Sequence, residues 1–356
     1  MSQNKLPSRI LLIGWYGSMN LGDELSLKAV VSLLLKKYGS TIHLIVTSHR
    51  PNFTKEFLKI LCEVQTIYFF NFLSIVREII KSDLIVFGSG TLIQNRFKNV
   101  LGYSLILLIS KFFSKKVIML SQGFDVDRPI LIQILRLILK LPDTIVVRDP
   151  NSKKFLLSIK RNKKTLLLPD ITFLLFTQRA QREINIKKKT NAKMLGINIR
   201  KIDDKFIMQS IETLLSELVK SYQVTLVPFS QSDYYLAERI SQKVKNVIVA
   251  KLKFDLDYLE ELYSSFDIFI GMAYHSLVFS LLFGIPFIII PYARKCEYFA
   301  SYVDLPHLVI NGHMLREEVL RALNLLENNV KERKQLFLIR DRLLKDLEIK
   351  MLEVFE

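Results

Sequence analysis

Short apolar runs alternate with longer amphipathic stretches along most of this 356-residue chain. Runs such as RILLIG, HLIVTS and DLIVFG are rich in β-branched and aliphatic residues and predict strands, whereas NLGDELSLKAVVSLLLKKYG has helical spacing and closes on Gly39. Repeated strand–helix units of this length predict parallel sheets covered by helices on both faces. We therefore expect an α/β protein with two doubly wound, Rossmann-like domains that face a cleft.

The alternation is interrupted once, near the middle of the chain. The stretch TQRAQREINIKKKTNAK, residues 177–193, has almost no large apolar residues and carries three consecutive lysines. Such a segment cannot bury enough surface to order itself, so it predicts an interdomain linker. The expected organisation is an N-terminal domain over residues 1–176, a C-terminal domain over 194–314, and a charged helical segment over 315–356.

The most apolar part of the second half, DIFIGMAYHSLVFSLLFGIPFIIIPYARKC, predicts a strand, a helix and a second strand. Gly284 and Pro286 end the helix, and His275 falls where the first strand turns into it. Open parallel sheets present ligand-binding groups at such turns. A histidine there also often caps or packs the helix, so its position alone leaves both roles open.

Two glycine-bearing loops follow strands of the first half. GWYGSMNLGDE contains Gly14, Gly17 and Gly22, and FGSG contains Gly88 and Gly90. Glycines allow close backbone approach and a helix N-terminus attracts anions, although the spacing matches neither GxGxxG nor a Walker loop. Together the loops predict a polar ligand above the edge of the sheet. The acidic pair that follows Gly22 is also explained by the helix dipole alone.

Charge and composition narrow the classes of partner. Lys and Arg total 51 against 34 Asp and Glu, a net charge of +17, yet no basic segment is interleaved with aromatic residues as in nucleic-acid platforms. An anionic membrane surface fits better, because Gln133, Arg136 and Lys140 form one polar stripe on the apolar segment RPILIQILRLILKL, near KFFSKK. The alternative is a core helix with one solvated edge.

No compartment other than the cytoplasm is indicated. The residues before the first strand lack a signal-peptide pattern, and the longest apolar stretches fall short of the roughly 20 residues that span a bilayer. Cys62 and Cys296 are far apart and the five histidines are scattered, so neither a disulfide framework nor a metal site is expected. We expect a cytoplasmic protein, peripheral on the inner face of the plasma membrane.

Seven blocks in order resemble the polysaccharide pyruvyl transferase family, over roughly residues 10–299. They are GWYGSMNLGDE, SDLIVFGSGTLIQN, SQG, VVRDPNSKKFL, LPDITFLL, GINIR and GMAYHSLVFSLLFGIPFIIIPYARK. The resemblance implies a GT-B-like fold and transfer of pyruvate from phosphoenolpyruvate onto two hydroxyls of a sugar, giving a cyclic ketal and phosphate. No metal or cofactor is implied, and the acceptor would be a cell-surface polysaccharide or its lipid-linked precursor. Oligomer formation stays open.

Carried over to this sequence, the resemblance gives each motif residue a role. His275 becomes a general acid or an anion ligand, and Asp23 or Glu24 the base that takes the hydroxyl protons. The residues expected to bind the donor are Arg200, Arg294 and Lys295, and those expected to face the acceptor are Gly17, Asn20, Gly22, Gly88 and Gly90. A guanidinium suits the donor because its planar fork binds oxyanions bidentately. Arg148 and Asp149 are expected to form a local, structural ion pair.

One departure from the family pattern bears on activity. The family usually has Met-Arg-Leu-His at the central histidine, whereas this chain reads Met272, Ala273, Tyr274, His275. Arg294 is our candidate for the missing guanidinium. Asn95 also stands where the family often has an acidic residue. Two alternatives follow: a GT-B-like glycosyltransferase that uses a nucleotide sugar, and a catalytically silent scaffold in polysaccharide assembly.

Overall fold

The computed structural model describes residues 6–161, 163–177, 193–201, 205–305, 309, 315–327 and 330–356. The chain divides into two compact units. The first comprises Met1–Met19, Asp23–Leu175 and Asp346–Glu356, and the second comprises Asn20–Gly22 and Phe176–Lys345. The predicted linker, residues 177–193, lies almost wholly outside the described residues, so it stays a prediction.

The first unit is built on a parallel sheet of seven strands in the order β3-β2-β1-β4-β5-β6-β7. Its strands are β1 Arg9–Ile13, β2 His43–Ser48, β3 Gln65–Tyr68, β4 Leu84–Phe87, β5 Lys116–Gln122, β6 Thr144–Val147 and β7 Lys164–Leu167. The central strands are apolar at successive positions because both faces of the sheet are covered, as in other parallel sheets. In the register, Leu11 lies opposite Ile45 and Ile85, and all three are fully buried.

Helices connect these strands and complete the core of the first unit. They are α1 Leu21–Tyr38, α2 Pro51–Leu58, α3 Phe72–Lys81, α4 Phe97–Phe112, α5 Pro129–Ile138 and α6 Pro150–Ser158. A 3₁₀ helix, Ile171–Phe176, follows β7. In α5, Leu131, Leu135 and Ile138 are buried. Of the predicted polar stripe, Gln133 and Arg136 are exposed on α5 and Lys140 is exposed just beyond its end, and a membrane-facing role for this helix stays a prediction.

The second unit repeats the plan with a parallel sheet of five strands in the order β10-β9-β8-β11-β12. Its strands are β8 Met194–Asn198, β9 Gln223–Leu226, β10 Val247–Val249, β11 Ile268–Gly271 and β12 Phe287–Ile289. Its helices are α7 Lys205–Leu218, α8 Gln231–Lys243, α9 Leu256–Ser264, α10 Tyr274–Leu282, α11 Arg294–Tyr302, α12 Leu315–Glu327 and α13 Val330–Leu344. The predicted strand–helix–strand order around His275 is confirmed by β11, α10 and β12.

The strand order creates a topological switch point in each sheet. In the first unit β1 lies between β2 and β4, so the chain leaves β1 toward one side and later returns on the other. The same holds for β8, between β9 and β11. Loops that follow the two strands flanking such a point diverge and leave a crevice at the carboxyl edge. The loops after β1 and β4, and after β8 and β11, are therefore the places to look for ligand-binding groups.

The C-terminal segment, residues 315–356, is helical where described, and its residues divide between the units. Up to Lys345 they pack with the second unit, where α12 contacts α7 and α13 contacts α10. The last residues, which include α14 Leu347–Leu352, belong to the first unit. There Lys36 pairs with Glu348 at 2.7 Å and the Tyr38 and Phe355 rings lie 5.8 Å apart.

No helix in the described part of the chain is both long and apolar enough to cross a bilayer. Among the same residues, no group of three or more His, Cys, Asp or Glu side chains is arranged to hold a metal ion.

Candidate functional site

Glu24 organises the loop that follows β1. Its side chain is fully buried, and its two oxygens accept hydrogen bonds from the backbone N–H groups of Gly17 at 3.1 Å and Met19 at 3.2 Å. Gly17 has a φ of +70°, and a Cβ there would lie 2.2 Å from Ser48 Oγ, so the turn requires glycine. The structure thus places Glu24 and Gly17 in the interior of the loop rather than at its solvent face.

Burial raises the pKa of Glu24 from its ordinary value of 4.5 to about 8. The neighbouring charge of Asp23 adds to this rise, and the hydrogen bond from Gly17 opposes it. Glu24 is therefore protonated at neutral pH. A buried, protonated carboxyl that is already engaged with two amides is poorly placed to take a proton from an acceptor hydroxyl, which leaves Asp23 as the base candidate.

Asp23, Gly88 and Gly90 come together at the carboxyl edge of the first sheet. Asp23 Oδ1 lies 3.9 Å from the position that a Cβ would take on Gly90, whose φ is +130°. The Tyr16 hydroxyl packs against Gly88, where a Cβ would lie only 1.5 Å from the phenol oxygen. Burial, and next the charge of Asp23, raises the pKa of the Tyr16 hydroxyl, so this phenol stays neutral.

Gln122, at the end of β5, belongs to the same edge. Its side-chain amide donates to the backbone carbonyls of Gly88 and Leu120, which ties the Gly88 loop to the neighbouring strand. Ser121 has a φ of +51°, and the pairing of β5 with β6 is irregular between Met119 and Gln122. The sequence block SQG thus coincides with an irregularity at the end of β5.

Arg148 and Asp149 do not form the predicted local ion pair with each other. Arg148 Nη1 donates to Asp170 Oδ2 at 2.8 Å, and both groups are buried. Asp149 precedes α6 and accepts from the Ser152 N–H at 2.7 Å, as a helix-capping residue does. The predicted structural role of Arg148 and Asp149 is confirmed, but the predicted partner of Arg148 was wrong. Its partner is Asp170, which follows β7 and is distant in sequence.

In the second unit, Asn198 hydrogen-bonds to two loops at the topological switch point. Its side-chain oxygen accepts from the Ala273 N–H at 2.8 Å, and its amide donates to the Val227 carbonyl at 2.9 Å. Asn198 ends β8, whereas Ala273 precedes α10 and Val227 follows β9. One buried side chain thus fixes three neighbouring loops and sets the start of the helix that carries His275.

His275 lies in the first turn of α10 and is 9% exposed. Its imidazole packs on Gly22, where a Cβ would lie 1.7 Å from Nδ1, so only glycine fits. Asn20 Oδ1 accepts from the Gly22 N–H at 3.1 Å, and the Leu21 N–H donates to the Phe229 carbonyl at 2.8 Å. Three predicted residues, Asn20, Gly22 and His275, thus meet within the second unit.

Two of the predicted donor-binding cations meet on one aromatic ring. The Arg200 guanidinium lies 4.8 Å from the Tyr292 ring centroid, and Lys295 Nζ lies 5.0 Å from the same centroid. Arg200 Nε is also 3.8 Å from Asp233 Oδ1, a buried carboxyl. Burial raises the pKa of Asp233, whereas the Arg200 charge opposes this rise. The result is a compact cationic group after β8 and β12.

Arg294 occupies a different position from these two. It is exposed at the first residue of α11, whereas Lys295 is half-buried. Cys296, one residue further, is fully buried and donates to the Met272 carbonyl at 3.3 Å. This contact ties the start of α11 to the loop before α10. Whether Arg294 takes over from the missing family arginine at Ala273 stays a prediction.

The sequence reasoning missed Asn198, Tyr292 and Gln122. Each lay in a recognised block, GINIR, PYARK or SQG, but none is charged, and the roles depend on loops brought together by the fold. The usable signal was position, because all three follow or end a parallel strand.

The fold falls in a known class. It matches Anabaena HepE, solved in complex with UDP-glucose, with a TM-score of 0.63 at 12% identity over 98% of this chain and 99% of that one. It matches the UDP-GlcNAc 2-epimerase from Neisseria meningitidis bound to UDP-GlcNAc with a TM-score of 0.64, at 12% identity over 98% and 99%. At such identities the similarity defines the fold alone, a GT-B-like pair of Rossmann-like domains.

The family is defined by sequence. The model of the family described as polysaccharide pyruvyl transferase matches residues 20–294, most of the chain. The protein therefore belongs to the polysaccharide pyruvyl transferase family. No match was found among curated protein sequences.

Proposed function

We propose that this protein transfers pyruvate from phosphoenolpyruvate onto two hydroxyls of a sugar in a cell-surface polysaccharide or its lipid-linked precursor. Family membership supports a transferase that acts on a sugar. The observation that carries the donor assignment is the cationic group of Arg200 and Lys295 on Tyr292. Phosphoenolpyruvate carries a phosphate and a carboxylate, and two cations with fixed geometry match two anionic groups.

The reaction needs an acid, a base and a stabilised leaving group. A proton goes to the methylene carbon of phosphoenolpyruvate, which makes the adjacent C2 electrophilic, and His275 is the proposed acid. One sugar hydroxyl bonds to C2 and a second replaces the phosphate there. The two hydroxyl protons are lost, and Asp23 is the proposed base. Arg200 and Lys295 hold the phosphate until it departs with the C2–O electron pair.

The proposed location is the cytoplasm, at the inner face of the plasma membrane. The net charge of +17 favours an anionic surface, and a lipid-linked acceptor would be found there.

A second candidate function is nucleotide-sugar transfer, and one observation favours it. Ala273 stands where the family has an arginine that would bind phosphoenolpyruvate, and structures of the same fold were solved with UDP-sugars. Under this alternative the cationic group would bind a nucleotide diphosphate instead. A silent scaffold would bind neither donor.

Titration calorimetry with phosphoenolpyruvate tests the donor site. We expect saturable binding by the parent chain and a roughly ten- to hundredfold loss in Arg200→Ala, because a hydrogen bond to a charged group contributes about 1.5–3 kcal/mol. The matched control is Arg239→Ala, which removes an exposed arginine from α8 of the same unit. Equal affinities in parent, Arg200→Ala and control would remove Arg200 from the donor site.

A further inference from the structure

Helix α4 of the first unit presents an apolar face to solvent. Phe97, Leu101, Leu105, Leu108 and Phe112 recur at helical spacing and are between 44% and 81% exposed. The helix contains no acidic residue. A surface helix normally shows charged residues on this face, and an apolar stripe of this length marks an interaction site. From first to last, the stripe covers about 22 Å at 1.5 Å per residue.

A pocket of about 880 Å³ opens beside this stripe, and Phe97 and Leu105 line both. Six of its sixteen lining residues are aromatic. Trp15 comes from the loop after β1, Phe69 from the loop after β3, and Tyr103 from α4. The ring centroids of Trp15 and Phe69 lie 5.6 Å apart, and those of Phe69 and Tyr103 lie 6.5 Å apart. The pocket therefore offers a broad apolar surface at the carboxyl edge of the first sheet.

The pocket also carries positive charge. Arg96, Lys98 and Arg128 line it, and within the described part of the chain none of the three forms an ion pair. The carboxylate of Asp127, adjacent in sequence to Arg128, accepts a hydrogen bond from Asn95. Three cations that have no carboxylate partner among the described residues attract an anion, and the aromatic rings exclude water from one side of it.

We propose that this pocket and the α4 stripe bind one lipid with a phosphate headgroup, drawn from the membrane surface. The pocket would hold the phosphate and the first part of the chain, and the stripe would contact the apolar remainder or the bilayer around it. The inference rests on the proposed function in one respect, which is that this lipid is taken to carry the acceptor sugar. A nucleotide would also match cations and aromatic rings, but it has no apolar chain that would cover the roughly 22 Å of exposed apolar helix.

Flotation with vesicles tests this site without any donor present. The probes are phosphatidylcholine vesicles with and without undecaprenyl phosphate. We expect the parent chain to bind the phosphate-bearing vesicles at least tenfold more tightly than the neutral ones. Leu101→Ser/Leu108→Ser should lose binding to both vesicle types, and Arg96→Gln/Lys98→Gln should lose roughly ten- to thirtyfold on the phosphate-bearing vesicles alone.

Matched controls lie elsewhere on the same unit. Ile60→Ser/Leu157→Ser removes two apolar residues that are 82% and 62% exposed, and Lys55→Gln/Lys154→Gln removes two exposed cations. Both controls should bind like the parent. All the substituted side chains are exposed, so melting temperatures should stay close to that of the parent and loss of binding can be separated from unfolding.

Several results would overturn the proposal. Equal binding to both vesicle types would show that the pocket does not bind the phosphate headgroup. Stripe variants that bind like their control would show that the exposed face of α4 does not contact lipid. Competition by free inorganic phosphate or by UDP at the concentration of the lipid would assign the cations to a soluble anion. Concentration-dependent dimers that disappear in the stripe variant would make the face a contact between copies of this chain. None of these results bears on phosphoenolpyruvate binding, which is measured separately and tests the proposed function.

Discussion

Replacing Glu24 by glutamine should change the pH dependence of stability more than stability itself. The Glu24 carboxyl is fully buried, and its pKa lies at about 8 in the folded protein instead of 4.5. Because the folded state holds this proton more tightly than the unfolded state, the contribution to stability is complete below pH 4.5. It falls as pH rises and levels off above pH 8. At about 1.4 kcal/mol for each pKa unit, the loss is on the order of 5 kcal/mol.

Glutamine cannot ionise, so the variant should lack this decline. It has a cost of its own, because one of the two backbone N–H groups that now face carboxyl oxygens, at Gly17 and Met19, would face an NH₂ group. An unsatisfied buried donor costs about 1–3 kcal/mol. We therefore expect Glu24→Gln to be less stable than the parent at pH 5 and more stable at pH 9, with the crossover between.

Urea unfolding at pH 5, 7 and 9 measures this crossover. Trp15 is the only tryptophan of the chain and lies in the same loop, so its fluorescence reports on the first unit. The matched control is Glu63→Gln, at an exposed position of this unit, which should follow the parent at every pH. If the free energies of unfolding of Glu24→Gln and the parent change in parallel from pH 5 to pH 9, the conclusion that Glu24 is buried and protonated would be refuted.

Two further predictions concern single contacts. Gly88→Ala should lower the free energy of unfolding by about 1–3 kcal/mol, because its Cβ would lie 1.5 Å from the Tyr16 hydroxyl. Adding Tyr16→Phe to this variant should restore part of the lost stability, as measured by urea unfolding. A Gly88→Ala variant as stable as the parent would contradict the packing of Tyr16 on Gly88. If Arg294 replaces the family arginine, Arg294→Ala should abolish phosphoenolpyruvate binding in calorimetry and Ala273→Arg should partly rescue it, whereas full affinity in Arg294→Ala would end the substitution idea.

The fold could be predicted from the sequence because parallel strands buried on both faces leave an unambiguous trace. The runs RILLI and LIVF are apolar at every position, and the helices between them have helical spacing. The edge strand β7 leaves a weaker trace, since KTLL is short and only half-buried. It gave no apolar run of the kind that marks a central strand.

The candidate site could be predicted only where a motif residue also carries charge or must be glycine. The sequence analysis names His275, Gly22 and Arg200 in this way, and their roles in binding and catalysis stay predictions. The aromatic pocket was not, because Trp15, Phe69 and Tyr103 come from three separate elements and each alone is typical of a core. The setting of Glu24 was also hidden, since an acidic residue in a first helical turn has the same sequence signature whether it is exposed or buried.

The identity of the donor is the central claim, and a calorimetric comparison of phosphoenolpyruvate with UDP-glucose on the parent chain tests it most directly. Saturable binding of phosphoenolpyruvate with no measurable binding of UDP-glucose is the predicted result. Binding of UDP-glucose without phosphoenolpyruvate would contradict pyruvyl transfer and favour a nucleotide-sugar enzyme, and binding of neither would favour a scaffold.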